Sequence, residues 1–488
     1  MYESFGTIGR GGRRGLDGRC QTSARVTLSF LVVLAALAFL MVVAYRGFSV
    51  IMFAPIAALF AVLLTDPAWV LPMFSGVYME KMVGFIKLYF PVFMLGAIFG
   101  KVIELAGFAR TIVSSVIGIV GRQRAMLSIV AVCAIMTYGG VSLFVVVFAV
   151  YPFAAEMFRQ SDIPKRLIPG TIALGAFTFT MDALPGTPQI QNIIPTTFFK
   201  TTTYAAPWLG TIGAAFILLV GLAYLEWRRR AAAAKDEGYG LGHTNEPEPV
   251  ADATLANPWI AISPLVLVGV LNRVFTTLIP TVFGSSFTVP VPDHPVTLPV
   301  APLVAIWAVE GALLIGILLV FVLAFRTVMT KFSEGSKAAV AGSLLATMNT
   351  ASEYGFGAVI AALPGFQVVV HALRSIPNPL VNEAITISAL AGITGSASGG
   401  LSIALATMAD TFIQTANAAG IPLEVLHRIA SMASGGMDTL PHNGAVITLL
   451  SVTGLTHRQS YKDIFAITLL KTLTVFVVIV IYYVTGIV

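Results

Sequence analysis

"MDALPGTPQ" at Met181–Gln189 and "MDTLPHNGA" at Met437–Ala445 decide how this chain is read. Each sets an aspartate, a proline and a glycine into an otherwise apolar run. Proline removes a backbone donor and breaks the helical hydrogen-bond ladder. In lipid, freed backbone groups are tolerated only where protein or a watery cavity satisfies them. Each stretch therefore interrupts a membrane helix. The flanks are Leu167–Met181 and Ile190–Phe199 for the first, Ile429–Met437 and Ala445–Thr456 for the second. Neither member of a pair is long enough to cross a bilayer alone.

The surrounding composition supports a membrane setting. Of 488 residues, 57% are hydrophobic and 11% charged, with mean hydropathy +0.88. A soluble domain carries about 25% charged residues. Span-length apolar runs include Val26–Tyr45, Gly47–Thr65, Met126–Ala155, Thr201–Leu225, Ala253–Asn272, Gly311–Phe325 and Thr472–Val488. The net charge of +6 sits in short loops, a pattern of topology determinants rather than a nucleic-acid surface. Two cysteines give neither a disulfide framework nor a metal-ligand spacing.

The two interruptions belong to a duplication. Gly100-x-Val102-Ile103 matches Gly357-x-Val359-Ile360, and Gly139-Gly140-Val141-Ser142-Leu143 matches Gly399-Gly400-Leu401-Ser402-Ile403. Ile163-Pro164 matches Ile421-Pro422, and Met181-Asp182-x-Leu184-Pro185 matches Met437-Asp438-x-Leu440-Pro441. The division that follows is a disordered or surplus tail over 1–25, a first transmembrane helix over 26–46, and repeat 1 over 47–226. A cytoplasmic linker over 227–257 and a transmembrane helix with an outer loop over 258–302 lead to repeat 2 over 303–488.

Met126–Ala155 reads either as one kinked helix or as a re-entrant helical hairpin, and Ala384–Thr411 is its counterpart. Basic residues favour the cytoplasmic side, and the hairpin reading sorts them more cleanly. Arg110, Arg122, Arg124, Arg159, Lys165, Arg166 and Arg228–Arg230 then fall inside. Lys81, Lys200, Arg374 and Arg428, the last at a helix start, fall outside, while Arg13 and Arg14 in the tail oppose the assignment. An odd number of crossings separates equivalent helices, so the expectation is an all-α polytopic membrane protein of two inverted repeats. Each repeat carries a re-entrant hairpin and a broken transmembrane helix.

Paired interruptions in two halves point to a transporter's binding site. Half-helix N-termini carry unsatisfied N–H groups that suit a carboxylate. Candidate ligands for a small organic anion are Ser142, Thr187, Gln189, Asn192, Ser398, Ser402, Thr439 and Asn443. Candidates for proton coupling are Asp182, Asp438 and His442, with Asp182 and Asp438 equally readable as helix caps. Gly139, Gly140, Gly399 and Gly400 are expected at the hairpin tips. Lys101 and Glu104 are placed to pair, Arg273 and Glu310 to neutralise each other, and Trp227–Arg230 to anchor at the interface. No filter-like ring of charges favours a channel, and no HExxH, GxSxG or nucleotide loop favours an enzyme.

With "GAIFGKVIELAGFAR" at Gly96–Arg110, "DALPGTP" at Asp182–Pro188 and "GSASGG" at Gly395–Gly400, the chain from about residue 27 resembles the gluconate:proton symporter (GntP) family. That family sits in an ion-transporter superfamily of bacterial permeases. Gly186-Thr187 stands where gluconate members carry a histidine, and a histidine stands instead in the second repeat as His442. The chain looks closer to the branch of permeases for D-3-hydroxybutyrate and similar short hydroxy acids. The resemblance implies import with protons, no cofactor, a multi-pass place in the bacterial inner membrane, and a homodimeric scaffold against which hairpins and broken helices move. A sodium-coupled carboxylate transporter is the alternative within that class.

Overall fold

A computed structural model describes residues 29–247, 256–290 and 295–488, apart from 41, 44, 45, 47, 122, 123, 142, 367, 369–375 and 442. The tail over 1–25, Ser142, His442, Arg122 and Arg374 lie outside the described residues. Helices α1 (Ser29–Leu40) and α2 (Val50–Thr65) lead into the long α3 (Pro67–Leu105), which contains one π-helical turn at Phe74–Tyr78. Then come α4 (Phe108–Val120), α5 (Ala125–Tyr138) and α6 (Leu143–Gln160). The first broken element is α7 (Ile168–Ala176), the single turn α8 (Phe179–Asp182) and α9 (Ile190–Phe199), followed by α10 (Pro207–Ala233).

After the linker, α11 (Pro258–Phe283) and α12 (Val304–Met329) are joined by an exposed two-stranded hairpin. Its strands β1 (Ser286–Val289) and β2 (Val296–Pro299) pair antiparallel, Ser286 opposite Pro299. Next are α13 (Phe332–Ala362), α14 (Pro379–Thr394), α15 (Ala397–Ala418), α16 (Leu423–Ser434), α17 (Gly444–Thr453) and α18 (His457–Thr485). Among the described residues, five helices are long and apolar enough to cross a membrane. The protein is an all-α polytopic membrane protein. The longest of the five, Pro67–Leu105, is absent from the apolar runs of the sequence because Lys81, Lys87 and Pro91 interrupt it.

Local chemistry explains the breaks. Helix α7 ends where Thr178 leaves helical geometry, and Pro185, Gly186 at φ +79° and Pro188 hold the chain open until Gln189. Helix α16 ends at Gly435-Gly436, so the second break opens three residues earlier than Asp438. It closes at Asn443, whose side chain accepts from the amides of Ala445 and Val446. At about 1.5 Å per residue, the 10-residue α9 and α17 are roughly 15 Å long, half a hydrocarbon core.

Met126–Ala155 is a helical hairpin rather than one kinked helix. Arms α5 and α6 pack on each other across a turn at Gly139-Gly140, and Gly140 has φ +92°, a conformation side chains resist. The second hairpin turns at Gly395 (φ +67°) and Ser396, which caps α15 by accepting from the Gly399 amide. Equivalent helices of the two repeats face each other, α3 on α13 and α10 on α18.

The linker after α10 is a strap laid on the protein. The Asn245 side chain donates to the carbonyls of Ser451 and Val452, and Thr244 to that of Gly454, at the end of α17. Glu246 pairs with Arg159 and the buried Lys165, and Glu237 with Arg166. The strap thus joins the base of the first hairpin to the end of the second broken helix. Arg166 and Arg228 meet on the buried Asp463 of α18.

Candidate functional site

The two breaks touch. The Asp182 carboxylate lies against Gly435, where a Cβ would overlap it. The Asp182 carbonyl accepts from Arg428 at 3.1 Å and from the Ser431 hydroxyl at 2.7 Å, both on α16. Lys471 of α18 reaches back to donate to the Phe177 carbonyl and pairs with Asp438. Cations of the second repeat therefore satisfy carbonyls that the first break sets free, which is what a broken helix in lipid requires.

Arg428 is the main clasp. Fully buried, it donates to the carbonyls of Asp182, Ala205 and Thr203 and to Asn192 Oδ1. Its expected place on the outer side at a helix start is corrected: it lies in the protein interior between the repeats. His427 beside it contacts Asn192 Oδ1 through Nε2 and Thr201 Oγ1 through Nδ1. Arg273 also departs from expectation. It lies over the Tyr204 ring, 4.9 Å from its centroid, and forms no ion pair with Glu310 among the described residues. Lys101 and Glu104 do pair, at 2.9 Å.

Beside the breaks opens a cavity of about 1170 Å³. Four helix N-termini reach its wall: α6 at Leu143, α9 at Ile190, α15 at Ala397 and α17 at Gly444. Two belong to hairpins and two to broken helices, one of each from either repeat. Each N-terminus carries a partial positive charge, and on α15 and α17 the caps Ser396 and Asn443 already accept from the amides of Gly399, Ala445 and Val446. Helix ends of this kind attract anions.

The sequence candidates divide around it. Gln189, Ser398, Thr439, Asn443, Asp438 and Gly140 line the cavity. Ser398 contacts Thr350 Oγ1 at 3.2 Å, and the Gln189 amide donates to the Thr137 carbonyl. Asn443 also donates to the Gly395 carbonyl, tying the second break to the second hairpin. Thr187, Asn192, Ser402 and Asp182 lie behind the wall. The Thr187 hydroxyl donates to the Thr180 carbonyl. Asn192 donates to the carbonyls of Thr187 and Thr203 while accepting from Arg428 and His427, which uses its whole hydrogen-bonding capacity. Ser402 Oγ and both Asp182 carboxylate oxygens are buried without a hydrogen-bond partner among the described residues.

Gly399 and Gly400 are not tips but first-turn residues of α15. A side chain at Gly400 would strike the Ala391 backbone of the facing arm, and one at Gly399 would strike Glu353. Gly139 packs under Leu265 at the first turn.

Glu353 and Thr350 on the wall and Lys471 behind it escaped the sequence reading, and Arg428 entered it only as an outer loop marker. A signal existed for Lys471 and Glu353, since an ionisable group inside an apolar helix is functional by default. The polar run Thr347–Glu353 masked the span that carries Glu353.

Comparison with known proteins agrees with this architecture. No family model matches the chain. The fold is similar to the crystal structure of the Alcanivorax borkumensis YdaH transporter, with TM-score 0.52 over 84% of this chain and 88% of that one. At 14% identity that likeness is one of fold alone. In sequence the chain is 58% identical over 473 residues to the Bacillus subtilis (strain 168) protein described as "Uncharacterized transporter YxjC". The match takes in 94% of this chain and all of the relative. With its several spans, the chain is a multi-pass bacterial membrane protein. It belongs to the transporter family that includes Bacillus subtilis YxjC.

Proposed function

We propose that this transporter imports a small hydroxy-carboxylate anion, of the 3-hydroxybutyrate or gluconate type, together with protons. The observation that carries the reading is the convergence of four helix N-termini on one cavity between the repeats. Amide donors there suit a carboxylate. The hydroxyls of Thr350, Ser398 and Thr439 and the amide of Gln189 suit substrate hydroxyls. Among the described wall residues Lys101 is paired with Glu104, and Asp438 with Lys471 behind the wall, so the attraction rests on helix ends rather than on a free cation. The resemblance to gluconate:proton symporters and to the 3-hydroxybutyrate branch supports the substrate class. It also supports a homodimer whose hairpins and broken helices move as a unit.

The test is uptake into proteoliposomes. Labelled gluconate, 3-hydroxybutyrate, lactate and citrate are compared under an inward proton gradient, then under an inward sodium gradient. Accumulation of a hydroxy-monocarboxylate that collapses with the proton gradient is expected. Strict sodium dependence contradicts the coupling, and uptake of none of the four contradicts the substrate class.

A further inference from the structure

One buried acid on the cavity wall is not accounted for by the sequence candidates. Glu353 is 3% exposed, on α13, and Oε2 has no hydrogen-bond partner among the described residues. The other contact of its carboxyl is the Ser396 hydroxyl, and Ser396 is the residue that caps α15. The carboxyl lies so close over Gly399 that a Cβ there would overlap it. Glu353 therefore occupies the first turn of α15, one of the four seats that the cavity offers an anion.

Among the described residues, no compensating cation lies against it. Tyr78, in the π-helical turn of α3, donates to the Ser352 carbonyl and among the described residues is the titratable group of α3 that faces it. Helix α15 contributes the Ser396 hydroxyl, and α2 carries no titratable side chain. The other charged groups on the wall are committed elsewhere: Lys101 to Glu104, and Asp438 to Lys471. A carboxylate without a cation in a membrane interior is costly, whereas the neutral acid is not. An ionised Glu353 would also repel an arriving anion from the same helix end.

We propose that Glu353 carries the coupled proton, and that its carboxylate is the internal competitor that the substrate displaces. The carboxylate takes one proton from the side where the anion enters. The neutral acid then gives up its hold on α15, and the substrate carboxylate takes that seat. After the anion leaves on the other side, the acid returns its proton there, so one proton passes per anion through this group. This rests on the carboxylate-transport reading above.

The experiment uses purified full-length protein in weakly buffered detergent with a pH indicator, titrated with gluconate and with D-3-hydroxybutyrate. At pH values where the acid of the free protein is ionised, wild type is expected to take up close to one proton per anion bound, with affinity falling about tenfold per pH unit, and at lower pH both effects should fade. Glu353→Gln is expected to bind with no proton uptake and no such pH dependence. Glu353→Asp should retain uptake, as should Glu310→Gln, which alters a membrane acid outside the cavity. Proton uptake undiminished in Glu353→Gln overturns the proposal. So does pH-independent affinity in wild type, which needs no variant to fold. Binding of neither anion by wild type removes the transport reading itself, an outcome distinct from retained uptake in the variant.

Discussion

At Asp438 and Lys471 two opposite charges share a buried site, and each makes the other tolerable. Removing one partner of such a pair costs about 3–5 kcal/mol, because the survivor is left uncompensated. Lys471→Met is therefore expected to lower the melting temperature in detergent sharply, while Asp438→Asn with Lys471→Met recovers much of the loss. Equal melting temperatures for the single and double variants would show that the two charges do not compensate each other. Asp438 was legible as an ionisable residue in a break, but its partner lies 33 positions away on α18, and sequence spacing does not reveal such a contact. The same holds for Arg428. A basic residue near a helix start reads as a loop marker, and only the packing of α16 against the first break turns it inward.

At the scale of elements, the prolines and glycines made the breaks and hairpins readable, because backbone rules act locally. The boundary errors have local causes too: Gly435-Gly436 ends α16 before Asp438, and the second hairpin turns at Gly395 rather than Gly399. Asn443 caps α17 and lines the cavity at once. Asn443→Ala should cost about 0.5–2 kcal/mol of stability. It should also weaken substrate binding about tenfold, the equivalent of about 1.4 kcal/mol. A variant that melts lower yet binds as wild type would make Asn443 a cap alone.

The strap was readable only as a polar linker, since its ties to Arg159, Lys165 and α17 are long-range. The hydrogen bond from Arg166 holds the Glu237 carboxyl below its usual value of 4.5, against a smaller opposing effect of burial. A lowered acid stabilises the folded strap above pH 4.5, and that contribution is lost as pH falls below it. Pepsin cleavage within residues 234–247, normalised to a free peptide of the same sequence, should be slow at pH 5 and rise steeply toward pH 3. A rate flat across that range would show that the ion pairs do not hold the strap.

For the whole molecule, the duplication made the architecture legible in the sequence, because two copies of one interrupted span must satisfy the same backbone groups in lipid. What the sequence could not supply is how the copies meet. The acceptor carbonyls come from the first repeat and the donors Arg428, Ser431 and Lys471 from the second, an asymmetry invisible in aligned fragments. The cavity results from that contact, with one hairpin and one broken helix of each repeat turned toward it. A structure determined with bound 3-hydroxybutyrate or gluconate tests this most directly. The account predicts carboxylate density in the cavity, within hydrogen-bond distance of the N-terminal amides of α9, α15 or α17. Density on the lipid-facing perimeter, or in the cavity but remote from every helix end, would contradict it.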